Sequence, residues 1–415
     1  MSAPGKASAR AEKQNAKRPN ARPNAKRQAA WPQGERPVVA LVTDAVHPYN
    51  FGGREIRYHE LSRLLSATAD VHMYTMHWWD GPRRRTDGPI TMHALTPKLA
   101  LYKGRRRSFR QAIVFALACL ALLWRRFDIL KVDHIPQFQL FTLRLVATVR
   151  RKPLIATWHE VWGAEYWNDY LGRGGRLAWW VERMSMRLPD HIIAASPQTA
   201  DRLYDQLGPD ASIMVAPNGI DLEAARNADP AGDTTDLVVV TRLMVHKRID
   251  MLLDAVALLH AEGRRITCRV IGTGPERLAL HEQAERLGLS EHVDFRHDVE
   301  EQKELFALIK AGRVFVLPSE REGFGIAILE SLACGVPVVT TAAPDNLSQH
   351  LVTRSQRGLV SEHTPAALAM AIGTALSAQD DLDGGDPWLG DPWVGDYSWD
   401  AIAAQISGKF WPEAS

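Results

Sequence analysis

The sequence predicts an α/β protein built from two parallel-sheet domains that face each other across a cleft. Apolar runs of strand length alternate with stretches of helical length, which is typical of a parallel sheet covered by helices. This alternation stops at residues 227–235, where Asp, Pro, Gly and Thr cluster, and then restarts. The 415 residues, 46% of them hydrophobic, are sufficient for two large cores.

These features divide the chain into four segments. Residues 1–36 carry nine Lys or Arg against two Glu and contain no apolar core, so we expect a disordered basic tail. Residues 37–226 are predicted to form the first sheet domain, and residues 227–395 the second. Residues 396–415 contain a predicted terminal helix, Trp399–Phe410, and a short tail.

The first domain begins with a strand, a glycine turn and a helix. The strand is predicted between Pro37 and Asp44, the turn ends in Gly52 and Gly53, and the helical pattern begins at Arg54. Paired glycines let the backbone approach a ligand closely, and the free N–H groups of a helix start attract anions. The later strands are predicted at Val71–Trp78, Ile90–Leu95, Asp128–Val132, Leu154–Trp158 and His191–Ala195, with helices at Gln111–Trp124 and Arg176–Leu188.

The second domain repeats the alternation. Its first predicted strand, Asp236–Thr241, is followed by Arg242 and Lys247, and two cations at the carboxyl end of a strand can clamp a diphosphate. For either residue alone, a solvated surface charge is the alternative interpretation. The later strands are predicted at Ile266–Ile271, Val293–Arg296, Arg313–Leu317 and Val336–Thr340, with helices at Ile249–Leu259, Glu276–Leu287 and Glu301–Ala311.

Residues 318–330 join a predicted strand to a helix through a glycine-bearing turn. The backbone from Gly323 to Ile326 opens the helix, so its N–H groups and the helix dipole form a candidate anion site. Glu322 lies in the turn, and Glu330 follows about one and a half turns into the helix. The alternative is structural, since acidic residues often complement the dipole of a helix start.

Several other patterns narrow the possible chemistry. His159 ends the predicted strand Leu154–Trp158, where an imidazole could donate to a phosphate or sugar oxygen, although a structural histidine is the alternative. Residues 380–383 contain an Asp-x-Asp pattern in an acidic Gly/Pro-rich stretch, which favours a solvated loop over a metal site. Residues 272–274 lack the third glycine of a dinucleotide fingerprint, which disfavours a dehydrogenase. The three cysteines share no metal-like spacing and indicate a reducing compartment.

A basic turn and several tryptophans suggest contact with a membrane. Basic residues precede the apolar stretch Gln111–Trp124, which is short for a membrane span and is predicted to be a core helix. With nearby aromatic side chains, this turn could dock on an anionic membrane, whereas a solvated turn with buried tryptophans is the alternative. The residues concerned are Lys103, Arg105, Arg106, Arg107, Trp78, Trp79, Trp179 and Trp180.

Seven sequence pieces, in order over about residues 37–376, resemble glycosyltransferase family 4, the retaining sugar-nucleotide transferases of the GT-B fold. The pieces are Gly52 to Glu55, Thr157 to Glu160, Ala195 to Thr199, Val215 to Asp221, Thr241-Arg242 with Lys247, Val270 to Pro275, and Pro318 to Glu330 with its Glu-x7-Glu spacing. The resemblance implies two Rossmann-like domains, an acceptor domain first and a donor-nucleotide domain second, with the C-terminal helix returning to the first.

The resemblance also implies roles for individual residues. Arg242 and Lys247 match the pair that holds the donor diphosphate and stabilises the leaving group. Glu330 matches the glutamate that binds the ribose, and Glu322 matches the one that contacts the transferred sugar. The remaining implied positions are the amides around Phe324 and Gly325 for the donor, Gly52 and Gly53 for the loop near phosphate and acceptor, and His159 beside the donor sugar.

The implied reaction uses a UDP- or GDP-linked sugar, with no metal and no other cofactor, and proceeds by front-face attack. The expected acceptor is a lipid-linked or cell-envelope glycan, and the expected location is the cytoplasm, with peripheral contact at the inner face of the membrane. Three alternatives remain: a transferase for a soluble small-molecule or natural-product acceptor, a GT-B sugar-nucleotide epimerase, and a non-catalytic protein whose basic tail contacts nucleic acid or an acidic partner. The intact set of Arg242, Lys247, Glu322 and Glu330 argues against the third, and we expect no specific nucleic-acid partner. Residues 342–346 lack the glycines usual in the family, so the resemblance does not predict how this part of the chain contacts the transferred sugar.

Overall fold

The computed structural model describes residues 35–50, 52–103, 106–299, 301–380 and 391–412. Within these ranges, two parallel sheets with helices on their faces confirm the predicted α/β GT-B architecture. The predicted disordered tail, up to residue 34, and most of the Asp-x-Asp loop lie outside the described residues. The domain boundaries at residues 226 and 395 stay predictions.

The first sheet has eight strands in the described part of the chain, in the order β10-β9-β8-β7-β1-β2-β4-β3. All neighbours are parallel except the β3 and β4 pair. A small separate hairpin precedes β7 and consists of β5 (Tyr102–Lys103) and β6 (Arg106–Arg107). The eight strands are β1 (Val38–Val42), β2 (Asp70–His77), β3 (Arg84–Asp87), β4 (Ile90–Pro97), β7 (Ile129–Asp133), β8 (Leu154–Trp158), β9 (His191–Ala194) and β10 (Ile213–Val215).

Helices connect these strands and cover the sheet. The longest ones bury one apolar side each against a single large core, as parallel sheets require. These helices are α1 (Gly53–Leu65), α2 (Phe109–Ala118), α3 (Phe138–Arg150), α4 (Gly163–Leu171), α5 (Gly175–Ser185) and α6 (Pro197–Leu207). The next helix, α7 (Leu222–Asn227), packs instead against the core of the second sheet through Ala225.

The second sheet has six parallel strands among the described residues, in the order β13-β12-β11-β14-β16-β18. Its core is a second, separate cluster of buried apolar side chains. The strands are β11 (Thr235–Val240), β12 (Cys268–Ile271), β13 (Val293–Arg296), β14 (Gly312–Leu317), β16 (Val338–Ala342) and β18 (Gly358–Glu362), and a short pair, β15 (Arg321–Glu322) with β17 (Asp345–Asn346), lies beside them. The helices are α8 (Ile249–Ala261), α9 (Arg277–Arg286), α10 (Gln302–Lys310), α11 (Ile326–Ala333), α12 (Gln349–Arg354) and α13 (Pro365–Asp380).

The last helix, α14 (Trp399–Phe410), returns to the first domain, as the resemblance implies. Ser398 caps it by accepting a hydrogen bond from the Ala401 amide at 3.2 Å. Its side chains Trp399 and Ile406 are buried in the core of the first sheet. The chain therefore crosses between the two domains twice. No helix within the described ranges combines the length and apolar composition needed to cross a membrane.

Some predicted elements differ from the observed ones. The predicted helix Gln111–Trp124 is α2 followed by a 3-10 segment, Cys119–Trp124, so the α-helix itself is shorter. Strand β16 begins at Val338 and not at Val336, because Pro337 has no N–H to donate to a ladder. Several elements were not predicted, among them α3, α4, α6, α12, α13 and β18.

The predicted membrane-contacting set is partly wrong. Trp78 and Trp79 are buried, at 9% and 4% exposure, and therefore add no aromatic surface. Their indole N–H groups donate to the carbonyl oxygens of Asp44 and Pro82. Trp180, in contrast, is 55% exposed.

Candidate active site

The cleft between the domains contains a cavity lined by residues of both. The first domain contributes the loop after β8 and the starts of α4 and α6, and the second contributes β15 and β17. Both sets lie at the carboxyl ends of strands, where parallel sheets bind ligands. The side chains and backbone that line this interdomain cavity belong to Glu160, Trp162, Tyr166, Arg202, Arg321, Glu322, Gly323, Asp345 and others.

Three close approaches join the domains across the cleft. The Arg202 guanidinium forms an ion pair with Asp345 at 2.8 Å. The Arg321 guanidinium carbon lies 4.8 Å from the centre of the Tyr166 ring, a cation–π contact. A Cβ on Gly53 would lie 2.8 Å from the Ile326 Cδ1 atom, so the start of α1 faces the start of α11. The predicted glycine loop and the predicted anion site therefore meet.

Lys247 and Glu322 are brought together as an ion pair in the cleft. Lys247 ends a 3-10 turn after β11, and Glu322 lies in β15. Their side chains are only 13% and 18% exposed, so a charge on either is partly shielded from water. The Glu320 amide donates to the His246 carbonyl at 2.9 Å and fixes the two loops to each other. The structure thus places a cation and a carboxylate side by side at the predicted donor site.

Residues 342–346, which depart from the family pattern, lie beside Glu322. The last two of them form β17, in which Asn346 pairs with Glu322, and the following Leu347 amide donates to the Glu322 carbonyl at 2.8 Å. The buried Asn346 side chain donates to Thr340 Oγ1 at 3.1 Å and to the Thr341 carbonyl at 2.8 Å. A satisfied buried amide fixes its surroundings. An asparagine therefore holds the backbone beside Glu322 in this chain.

The start of α11 depends on Gly325. Gly325 is the residue before the helix and has a φ of +91°, a left-handed conformation that favours glycine. A Cβ on Gly325 would overlap the Ser348 side chain. Phe324 is 8% exposed, and its ring lies 5.8 Å from that of Tyr397, so its side chain packs inward. Only the backbone amides of these two residues are therefore candidates for donor contact.

Gly325→Ala should destabilise the protein and weaken donor binding. The left-handed φ and the overlap with Ser348 together should cost about 2–4 kcal/mol, because neither can relax without moving the start of α11. Thermal unfolding followed by circular dichroism measures the change. Gly408→Ala is the control, since a Cβ there meets no atom within 4 Å. An unchanged unfolding temperature for Gly325→Ala would contradict this description of the turn.

Glu330 lies on α11, one and a half turns beyond Gly325. Burial raises the pKa of its carboxyl group to about 7, so protonated and ionised forms coexist near neutral pH. A ribose diol donates two hydrogen bonds, which an ionised carboxylate accepts better than a neutral carboxyl group. The position and this pKa suit a group that becomes charged when a nucleotide binds.

The affinity for UDP or GDP should therefore rise with pH. Binding that favours the ionised carboxylate becomes stronger as the pH passes the pKa of the free protein, by up to about tenfold between pH 6 and pH 8. Isothermal titration calorimetry measures this change. The diphosphate of UDP or GDP also changes its protonation with pH, and this contribution is the same for the wild type and for Glu330→Gln. Because the variant has no carboxylate at this position, it should lose the part of the pH dependence that comes from Glu330. Identical pH profiles for the two proteins would rule out the assigned ribose contact.

Arg242 follows β11, as predicted, but its side chain is exposed. Lys247 is therefore the partly buried member of the predicted pair, and Arg242 stands nearer the solvent. The sequence predicts the same role for both cations, but Arg242 is exposed and Lys247 is partly buried in the structure.

His159 lies beside a buried carboxylate and does not line the interdomain cavity. Its Nε2 atom is 3.5 Å from Asp133 Oδ2 at the carboxyl end of β7. Burial disfavours the charge on Asp133, but the Arg54 guanidinium and the neighbouring His134 and His159 imidazoles outweigh it and hold the pKa of that carboxyl well below its usual range. Burial lowers the pKa of His159, so the imidazole is neutral near pH 7.

A buried charged cluster extends from Asp133 to the end of β1. Arg54 contacts Asp44 at 3.2 Å and Asp133 at 3.6 Å, and both aspartates are fully buried. Arg107 also binds Asp44, at 3.0 Å. The sequence analysis missed Asp44 and Asp133 as site residues, although each follows a strand in the way that singled out His159. Within the described ranges, no group of three or more His, Cys, Asp or Glu is placed to hold a metal ion.

Two family models match consecutive parts of the chain. The model described as Glycosyltransferase Family 4 matches residues 51–224, and the one described as Glycosyl transferases group 1 matches residues 223–383. The fold is similar to that of sucrose-phosphate synthase from Thermosynechococcus elongatus. The two structures have a TM-score of 0.73 and 20% sequence identity over 90% of this chain and 98% of that one.

Curated relatives share shorter segments. A D-inositol 3-phosphate glycosyltransferase of Streptomyces bingchenggensis is 34% identical over 36% of this chain and 37% of its own length. A GDP-mannose-dependent alpha-(1-6)-phosphatidylinositol monomannoside mannosyltransferase of Mycolicibacterium smegmatis is 30% identical over 45% of this chain and 53% of its own. The chain thus spans between about a third and a half of these relatives. The consecutive family matches and the GT-B fold show that the chain belongs to glycosyltransferase family 4.

Proposed function

We propose that the chain is a retaining hexosyltransferase that moves a sugar from a UDP- or GDP-linked donor to an acceptor hydroxyl. The observation that carries this proposal is the Lys247–Glu322 pair, which is partly shielded from water and lies at the carboxyl end of the donor-domain sheet. A cation there suits a diphosphate, and a carboxylate beside it suits the hydroxyls of a sugar. Glu330 and the start of α11 provide a ribose contact and an anion site in the same domain.

The leaving group is the nucleoside diphosphate. Its departure from the anomeric carbon creates negative charge on a phosphate oxygen, and Lys247, Arg242 and the first amides of α11 would stabilise that charge. Because Lys247 is held by Glu322 before the donor binds, the diphosphate has to displace the carboxylate. Glu322 is then free to accept hydrogen bonds from the sugar hydroxyls.

The acceptor would approach from the first domain. In the proposed front-face reaction the acceptor hydroxyl attacks on the side from which the diphosphate leaves, and the leaving phosphate oxygen takes the acceptor proton. Neutral His159 has a single N–H, and with Nε2 directed at Asp133 its Nδ1 atom is a candidate acceptor for a sugar hydroxyl. Glu322 is therefore a positioning group and not one of a glycosidase carboxylate pair.

Substrates can be found without knowing the acceptor. A thermal-shift screen of UDP- and GDP-linked sugars should identify the donor, and mass spectrometry of reactions with candidate acceptors should identify the product. We expect a product heavier than the acceptor by one anhydrohexose residue, formed at the same rate with and without EDTA. Conversion of the donor into a different sugar nucleotide without acceptor would support an epimerase, and no thermal shift with any nucleotide would contradict the proposal.

A further inference from the structure

One side of the first domain exposes an unusual number of apolar side chains. In α2, Phe115 points into the core, whereas Ile113 and Leu117 point outward, and Leu117 is 59% exposed. The following 3-10 segment ends in Trp124, which is 80% exposed. An outward apolar stripe on a helix is not explained by the core of its own domain.

Helix α3 extends this stripe into a surface. It lies beside α2, since the rings of Phe109 and Phe138 at the two helix starts are 6.4 Å apart. Its outward residues Leu145 and Val149 are 54% and 61% exposed. We call this surface the apolar face, and it consists of Phe109, Ile113, Leu117, Trp124, Leu145 and Val149.

The helices that form the apolar face carry charges of one sign only, and the acidic residues beside them, Asp128 and Asp190, are neutralised by ion pairs with Lys152 and Arg144. Residues 108–126 and 138–152, which include both helices, contain no Asp or Glu. Exposed arginines lie at its edges, at the start of α2, after Trp124 and at the end of α3. An apolar surface bordered by cations complements an anionic lipid bilayer. These arginines are Arg110, Arg125, Arg126, Arg150 and Arg151.

The apolar face begins at the cleft. Ser108 caps α2, and its neighbours Arg107 and Gln111 reach into the first domain to contact Asp44, at 3.0 and 3.1 Å. Asp44 follows β1 at the carboxyl end of the sheet. The apolar face and the acceptor side of the cleft are therefore connected by one short segment.

We propose that the apolar face docks the protein on an anionic lipid bilayer, with the mouth of the cleft near the membrane. Apolar side chains would enter the acyl boundary while the arginines contact acidic headgroups. A symmetric dimer through this surface would bring the same arginines of two copies together, and like charges oppose such an interface. Docking here would favour a lipid-anchored acceptor, a consequence that rests on the proposed transferase function.

The docking surface differs from the one that the sequence suggested. That set consisted of basic residues between 103 and 107 and of four tryptophans, Trp78, Trp79, Trp179 and Trp180. Arg105 and the side chains of Lys103 and Arg106 lie outside the described part of the chain. Arg107 forms an ion pair with Asp44, and Trp78 and Trp79 are buried. The apolar face lies on the two helices that follow the basic turn.

Co-sedimentation with vesicles tests the proposal. The full-length protein should sediment with vesicles of phosphatidylcholine and phosphatidylglycerol and remain in solution with phosphatidylcholine alone. An apolar variant, Leu117→Ser/Leu145→Ser/Val149→Ser, should bind more than about tenfold more weakly. A charge variant, Arg125→Gln/Arg126→Gln/Arg150→Gln/Arg151→Gln, should bind on the order of a hundredfold more weakly and lose most of its salt dependence.

The controls change equally exposed residues of the second domain. Leu278→Ser/Met370→Ser and Arg277→Gln/Arg286→Gln should bind vesicles as the wild type does, since these exposed side chains lie on α9 and α13 of the second domain. Circular dichroism confirms that each variant is folded. The proposal would be overturned if the wild-type protein binds neither vesicle type. It would also be overturned if the apolar variant and the charge variant bind as tightly as the wild type.

Two further measurements separate docking from the alternatives. Light scattering shows whether the apolar face joins two copies: a dimer that becomes monomeric in the apolar variant would overturn the bilayer proposal. Cleavage of the sugar nucleotide without vesicles should be the same in the wild type and all four variants. Vesicle binding without any such cleavage would support docking and contradict the proposed function.

Discussion

Lys247→Ala should lower kcat for sugar transfer by on the order of 10²–10³-fold. The ammonium lies in a partly shielded cleft, where a charge aimed at the leaving diphosphate is worth more than it is in water. Removing it should also weaken UDP or GDP binding, because the diphosphate loses its cation. Initial rates at saturating donor give kcat, and calorimetry gives the nucleotide affinity.

The matched control is Lys152→Ala. Lys152 also forms an ion pair, with Asp128 at 2.9 Å, but it lies at the opposite end of the first sheet, before β8. This variant should keep the kcat and the nucleotide affinity of the wild type. If Lys247→Ala transfers the sugar at the wild-type rate, Lys247 does not stabilise the leaving diphosphate.

Glu322→Gln should separate donor binding from transfer. The carboxylate holds Lys247 before the diphosphate arrives, so its removal should leave the UDP or GDP affinity unchanged or stronger. The transferred sugar loses its charged acceptor of hydrogen bonds, and kcat should fall on the order of 10²–10³-fold. Lys247→Ala and Glu322→Gln should thus both abolish most transfer, but only Lys247→Ala should weaken nucleotide binding.

Glu320→Gln is the control for this second prediction. Glu320 is an exposed carboxylate two residues earlier in the same loop, so its replacement removes a charge of equal sign without touching the ion pair. It should retain normal kcat and nucleotide affinity. If Glu322→Gln binds UDP and GDP much more weakly than the wild type, Glu322 does not compete with the diphosphate for Lys247.

Much of the fold follows from local patterns in the sequence. Apolar runs bounded by glycine and proline marked most strands of both sheets, and the terminal helix was predicted with its observed ends, Trp399–Phe410. Helices such as α3 and α13 were missed. Both helices expose apolar residues, Leu145 and Met370 for example. Apolar residues on the solvent side of a helix obscure the alternation of apolar and polar faces by which a helix is recognised in a sequence.

The candidate site was only partly predictable, because its geometry depends on contacts between distant segments. The Glu-x7-Glu spacing identified Glu322 and Glu330. The pairing of Glu322 with Asn346, in contrast, involves two strands of two residues each, which are too short to show a sequence pattern. The contacts of Arg202 with Asp345 and Arg321 with Tyr166 join the two domains. Side chains brought together by domain packing leave no periodic signal in the chain.

The stereochemistry of the product tests the central claim most directly. With the donor identified by thermal shift, proton nuclear magnetic resonance of the newly formed glycoside gives the configuration of its anomeric carbon. The account predicts an α-glycoside from an α-linked sugar nucleotide, made by the wild type and almost absent from Lys247→Ala and Glu322→Gln. A β-glycoside from the same donor would contradict the retaining mechanism proposed for this cleft.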